Sequence, residues 1–402
     1  MVNLESIKAA ADRIGSSIYL SPLVHSKTLS TLSGNEIYLK LDNLQMTGSF
    51  KERGALNRIL TLTEHEKRRG VVAASAGNHA QAVAYHAAAR GIPARIWMPK
   101  YTPLIKLAAT REYGADVVLH GVSYDEAYEA ALEYSARTTA TFLHAFDDED
   151  VIAGQGTIGL EILNQNPNVE VIVVAVGGGG LVAGVGCAAK GLNPDVEVVG
   201  VQTARLPSMK AALARQEPVS IPAASTMADG IAVRKAGRLT LPLVARYVDN
   251  IVTAAEDEIA EAILVLLERE KTLAEGAGAI ALAAVLQGRT GHRGKKIAVV
   301  ISGGNLDVNL LSRIIEQGMV RDGRRLRLRV RLPDYPGALE LLAAVIAKAN
   351  ANIVETLHNR AHYGVSLSET AIDITMETRG RDHVAELLSA LKDAHYEFAL
   401  VE

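Results

Sequence analysis

Between residues 70 and 200 the chain alternates short apolar runs with longer helical stretches, and no other feature constrains its fold as strongly. VVAAS (71–75) precedes an alanine-rich helical segment from His79 to Arg90. ARIWMP, ADVVLH and TFLHAF come next with helical patterns between them, and VEVIVVAV and VEVVGV follow. Strands that are apolar along nearly their whole length, rather than at alternate residues, have both faces covered, as parallel strands flanked by helices do. The expectation is an α/β, doubly wound fold. The uncharged stretch 171–189 is roughly long enough to span a bilayer. Six glycines from residue 177 onward argue against a single spanning helix, so it reads as strand, turn and helix.

A chain of 402 residues, 49% of them hydrophobic, can bury more than one core, and two or three domains are expected. With 42 Lys plus Arg against 45 Asp plus Glu, no global field recruits nucleic acid or a membrane surface, and the expected partners are small molecules. Cys187 is the only cysteine, so no internal disulfide forms. The N-terminus lacks the basic-then-apolar run of a secretory signal, and a reducing cytoplasm is the expected compartment.

After KIAVVIS (296–302) and its helix, the charged stretch 321–325 reads as a linker between a catalytic domain, 1–321, and a smaller domain, 326–402. LRLRVRL then alternates apolar and basic residues as a half-solvated strand does. A PG turn at Pro336 opens a helix through about Ala349. Strands follow around residues 353–360 and 368–376, then a helix from about Asp382 and a last strand. The order βαββαβ is ferredoxin-like. With DYPGAL at its first strand-to-helix turn, the segment resembles an ACT domain, a regulatory module that commonly binds amino acids between copies. A dimerisation module without ligand fits the same pattern.

TGSFKERGA (47–55) carries the most chemical information. Ser49 with Glu52 three residues on is a capping-box pattern, which puts Lys51 in the first turn of a helix. The positive helix end and nearby Arg53 both push its ammonium toward the neutral form that Schiff-base chemistry needs. Position alone fits a solvated surface lysine equally well. LKLDNLQMTGSFKERGA is similar, however, to the lysine motif of fold-type II (tryptophan synthase β-like) pyridoxal-phosphate enzymes, the threonine and serine dehydratases above all. That resemblance implies pyridoxal 5'-phosphate as cofactor, Lys51 as the residue that carries its aldehyde and then removes the substrate α-proton, and Phe50 against its ring. Asp42 stands where relatives often have Glu, a charge-conserving difference on which little is expected to depend.

Three further loops fit the same cofactor. ASAGNHAQ (74–81) follows a strand and opens a helix, so its N–H groups face any anion beyond the strand end. By resemblance Ser75, Ala76, Gly77, Asn78 and His79 hold the substrate carboxylate, and Asn78 also contacts the cofactor's phenolic oxygen. As residues alone they serve equally as a helix cap. Gly177, Gly178, Gly179, Gly180 and Leu181 form a phosphate cradle in the same strand-then-helix setting. Gly178, Gly180 and Ala183 also satisfy GxGxxA, but the acidic residue due about 20 residues on in a dinucleotide site is missing, since the next strand ends in Gln202. ISGGN (301–305) ends the last strand of the large domain, and Ser302 matches the residue that faces the pyridine nitrogen. Four motifs in family order across roughly 250 residues do not arise from turn chemistry.

Position 76 bears on the reaction. Racemases of this family use a serine there as a second base; Ala76 has no proton to exchange, which favours one-base elimination. Gln202 and Ser208 align with acidic metal ligands of relatives, so no tightly held divalent metal is expected. The resemblance implies α,β-elimination of L-threonine to 2-oxobutanoate and ammonia, or of L-serine to pyruvate, in an amino-acid-regulated homotetramer serving isoleucine biosynthesis or threonine catabolism. A serine racemase, a non-enzymatic amino-acid sensor and a nicotinamide dehydrogenase remain as alternatives.

Overall fold

The computed structural model describes residues 2–359 and 368–401, which divide into two compact units, Met1–Leu306 and Asp307–Glu402. The larger contains ten strands: β1 (Leu23–Ser26), β2 (Glu36–Leu41), β3 (Val71–Ala74), β4 (Ala94–Met98), β5 (Asp116–Leu119), β6 (Thr141–Phe142), β7 (Val171–Ala175), β8 (Glu197–Thr203), β9 (Asn250–Ala254) and β10 (Lys296–Ile301). They form two sheets, one in the order β1-β2-β10-β7-β8-β9 and one in the order β5-β4-β3-β6. All pairings are parallel except β1 with β2.

Every residue of β7 is buried, as its unbroken apolar sequence requires. Ile172, Val174 and Val176 share a core with the helices Glu149–Gln165 and Gly180–Leu192, while the helix Gly276–Leu286 lies against β10, β7, β8 and β9. The first two helices approach closely because glycines face each other: a Cβ on Gly184 would stand 2.4 Å from Ile152 O. The uncharged stretch 171–189 is thus strand, turn and helix, and no helix among the described residues is long and apolar enough to cross a membrane. Because the strands run parallel, the loops after β3, β7 and β10 all emerge at carboxyl ends, where α/β sheets bind ligands.

The smaller unit opens with the helix Val308–Arg321, N-capped by the Asp307 carboxylate. The sequence reading assigned this helix to the catalytic domain. It runs into β11 (Arg325–Pro333) through only three residues, 322–324, too few to act as a flexible linker. The helix Ala338–Lys348, β12 (Asn352–Asn359), β13 (Glu369–Glu377), the helix Arg381–Asp393 and β14 (Phe398–Leu400) follow. The antiparallel order is β12-β13-β11-β14, the ferredoxin-like arrangement. Leu326, Leu328, Val330 and Leu332 are buried on one face of β11, and the intervening arginines lie on the other, as the alternation predicts. Residue 360, at the end of one predicted strand, lies outside the described residues.

Candidate active site

The helix Lys51–Leu60 begins at the lysine, but the predicted capping box does not form. Phe50 occupies the cap position in helical conformation with no side-chain cap. Glu52 instead accepts the Thr47 N–H and lies 3.3 Å from His86 Nε2, while Ser49 Oγ is buried without a partner. What holds the lysine segment is the loop after β10. Phe50 N–H donates to Ser302 O (3.0 Å) and Gly304 N–H to Gly48 O (2.9 Å), and Ser49 bridges Gly303. Gly48 turns with φ +74°, where a Cβ would meet Asn305 Oδ1 at 2.5 Å.

Lys51 Nζ donates to Ala145 O at 2.7 Å. Burial lowers its pKa to about 8, against the opposing pull of Glu275. Arg53, invoked from the sequence as a second cause, is committed elsewhere. Its guanidinium is bidentate on Asp42 (2.7 and 2.9 Å) and bonds Glu161 (2.5 and 2.9 Å). Lys40 adds a second cation on Glu161 at 2.6 Å, and Ser21 Oγ donates to Asp42 (2.6 Å). Asp42 and Arg53 are fully buried. Asp42 therefore holds the helix that carries Lys51, through the carboxylate that the sequence reading took to be conserved in charge.

The loop 75–77 links β3 to the helix Asn78–Ala88. Ser75 N–H is tied to Trp97 O (3.1 Å), Gly77 N–H donates to Ser75 Oγ (3.2 Å), and a Cβ on Gly77 would meet nothing within 4 Å. Ala76 packs beside the core of the smaller sheet. His79 turns its ring inward: Nε2 pairs with Leu143 O (2.9 Å), burial and then Lys51 lower its pKa to about 3, and Nδ1 has no partner. Being neutral, with Nε2–H spent on a carbonyl, this ring has no proton for a carboxylate, so the residue offers an anion only its backbone N–H. Asn78 Nδ2 donates to Glu275 Oε1 (2.5 Å), and its Oδ1 accepts from Asn305 Nδ2 (2.8 Å).

The glycine loop joins β7 to the helix Gly180–Leu192, whose first amides lack intrahelical acceptors and face outward. A Cβ on Gly178 would be 2.4 Å from the Phe146 ring, and one on Gly179 (φ +99°) 2.4 Å from Met209 Cε. The loop is clamped from outside. Thr240 Oγ1 donates to Gly178 O (2.6 Å), and the Asp147 carboxylate accepts the N–H groups of Arg238, Leu239 and Thr240. Ser302 is buried, its hydroxyl 3.2 Å from Ala277 O. His144, lowered to about 4 by burial, accepts the N–H groups of Phe146 and Asp147. Gln202 and Ser208 bond the protein itself, through Lys210 N–H (3.0 Å) and Val233 O (2.6 Å). Among the described residues no three His, Cys, Asp or Glu side chains gather as a metal site.

This set has the complement a pyridoxal phosphate requires: a desolvated amine, glycine amides at a helix N-terminus, an anchored amide and a hydroxyl at a strand end. Residues 14–303 match the model of the pyridoxal-phosphate dependent enzyme family, and the chain belongs to it. It is 51% identical, over the full length of both chains, to the L-threonine ammonia-lyase of Thermotoga maritima. It is 46% identical to that of Geobacter sulfurreducens over 97% of each chain. Among solved structures, the processed threonine deaminase isoform 2 of Solanum lycopersicum superimposes with a TM-score of 0.75 at 36% identity, covering 79% of this chain and 87% of that one. Maize serine racemase does so at 0.74 and 32%, over 80% and 98%. Glu275, Asp147, Thr240 and His144 escaped the sequence reading, because each joins the site only through packing, and Asn305, though within ISGGN, was given no role.

Proposed function

We propose that the chain is a pyridoxal-phosphate-dependent threonine ammonia-lyase, converting L-threonine to 2-oxobutanoate and ammonia by α,β-elimination and L-serine to pyruvate alongside. The observation that carries the reading is Lys51: an amine brought to about 8 by burial, bonded to Ala145 O, whose neighbour Phe146 packs against the glycine loop, in a segment whose Phe50 N–H is tied to Ser302 O. Near-full-length relatives named as L-threonine ammonia-lyases support the substrate.

Pyridoxal phosphate, when bound, supplies a conjugated electron-withdrawing ring that acidifies the substrate α-carbon and loosens the β-hydroxyl. Lys51 would carry the cofactor's aldehyde and, as a neutral amine, would serve as the base for the substrate α-proton. With a pKa of about 8, about a tenth of the lysine is neutral at pH 7, against roughly one part in three thousand for an ordinary lysine. Gly177, Gly178, Gly179, Gly180 and Leu181 would hold the phosphate through backbone N–H groups, and Thr240 and Asp147 fix that loop from behind. The N–H groups of 75–79 would orient the carboxylate, Ser302 would face the pyridine nitrogen and Phe50 would line the ring. Ala76 offers no second base, which argues against racemisation. Lys51→Ala tests the assignment: visible absorbance of lysine-bound cofactor and release of 2-oxo acid should both disappear, and retained turnover would refute it.

The smaller unit, on this reading, is an ACT module that senses an amino acid, and its ferredoxin-like strand order supports this. Equilibrium dialysis against isoleucine and valine, with light scattering for the expected tetramer, tests both points.

A further inference from the structure

The carboxyl of Glu275 lies in the site without any role in the chemistry above. Glu275 precedes the helix Gly276–Leu286 and is nearly excluded from solvent. Its N–H is fixed to Gly303 O (3.0 Å), and its Oε1 accepts Asn78 Nδ2 at 2.5 Å. The approach is built with glycines. A Cβ on Gly303 would stand 2.4 Å from Glu275 Oε1 and 3.2 Å from Asn78 Nδ2, one on Gly278 would stand 2.1 Å from Gly303 O, and one on Gly230 would stand 3.4 Å from Glu275 Oε1. At the other end of the amide, Asn305 Nδ2 donates to Asn78 Oδ1 (2.8 Å) and also to Thr47 O (2.7 Å) in the lysine segment.

An asparagine side chain has nearly the same shape in its two flipped states, and only its hydrogen-bond partners decide which end is the donor. Here both ends are fixed, the oxygen by a donor and the nitrogen by an acceptor. A flip would break the Asn78 Nδ2 bond to Glu275 Oε1 and set Nδ2 against the Asn305 NH2, which Thr47 O holds in place as a donor. One Asn78 Nδ2 hydrogen remains after Glu275 is served. We infer that Glu275 is a positioning residue that, with Asn305, locks the Asn78 amide so that its second hydrogen is always presented to the phenolic oxygen of the cofactor. The inference rests on the assignment of Asn78 and Lys51 to the cofactor site. Lys51, Asp229 and Lys106 are the charged groups that act on Glu275, and Asp229 is itself paired with Lys106.

The test is a fluorescence titration of the apoenzyme with pyridoxal phosphate for wild type, Glu275→Gln, Glu275→Ala, Asn78→Ala and the double variant Glu275→Ala/Asn78→Ala. Glutamine keeps an acceptor for Asn78, so Glu275→Gln should bind within threefold of wild type. Glu275→Ala frees the amide and should weaken binding at least fivefold. The double variant should match Asn78→Ala, because the lost orientation acts only through that side chain. Glu275→Ala binding within fivefold of wild type, Glu275→Gln no better than Glu275→Ala, or independent effects that multiply would each overturn the inference. Failure of the underlying assignment has a separate signature: wild-type protein with cofactor would lack the absorbance that Lys51→Ala removes.

Discussion

Replacing Asp42 by Asn tests whether the buried charges behind Lys51 act as a unit. The four groups Lys40, Asp42, Arg53 and Glu161 sum to zero, and Asp42→Asn leaves two cations facing one carboxylate. Arg53 then loses an anion at 2.7 and 2.9 Å with no water to replace it, because both side chains are fully buried. Removing one partner of such a pair costs about 3–5 kcal/mol. Arg95 and Asp116 also meet, at 2.6 Å, but with 40% and 57% of their side chains exposed, and Arg95→Ala should cost no more than about 1 kcal/mol. Equilibrium unfolding in urea, an uncharged denaturant that leaves ion pairs unscreened, measures both. A pH series adds a sign. Burial alone would raise the Asp42 pKa, but Arg53 outweighs it and holds the carboxyl below its ordinary 3.8. Its contribution is therefore present above that value and lost as pH falls through the native pKa, and Asp42→Asn should lack this acid-sensitive component. A loss below about 1 kcal/mol in Asp42→Asn, equal to that of the surface pair, would refute the reasoning.

Four further outcomes follow from the site. Attachment of pyridoxal phosphate to the apoenzyme should accelerate as pH rises through about 8, where Lys51 loses its proton; a flat profile by stopped-flow absorbance between pH 6 and 9 would contradict its desolvated state. Glu275, raised to about 8 chiefly by burial and next by Asp229, binds a proton that the unfolded chain releases near 4.5. Apoenzyme stability should therefore decline between those values as pH rises, and Glu275→Gln should flatten that decline in urea titrations. Gly178→Ala drives a methyl group into Phe146 and should cost about 1–3 kcal/mol and loosen the cofactor. Gly77→Ala points into open space and should leave the fold intact while raising the threonine KM.

The α/β core was legible because buried parallel strands such as β3 and β7 write themselves as continuous apolar runs, and the strand-turn-helix at the glycine loop because its glycines interrupt such a run. Glu52 was misread. Three-residue spacing from Ser49 predicts a cap, but tertiary packing gave its carboxylate to Thr47 and left Ser49 unpaired. The partners of Asp42 were not foreseen, because nothing local reveals that Arg53, 11 residues along the chain, pairs with it while also reaching Glu161, a further 108 residues on. Glu275 and Asn78 are 197 residues apart, and Asp147 reaches Thr240 across 93. No periodicity encodes which polar side chain at an apolar helix end turns inward. Such partners become visible only when strand order brings their loops to one crevice.

The most direct test of the central claim is to record the visible spectrum of the purified protein with pyridoxal phosphate and then follow 2-oxo acid and ammonia after adding L-threonine. A lysine-linked cofactor band followed by stoichiometric release of 2-oxobutanoate and ammonia is the predicted result. A protein that takes up no cofactor, or one that binds it and leaves L-threonine unchanged, would contradict the account.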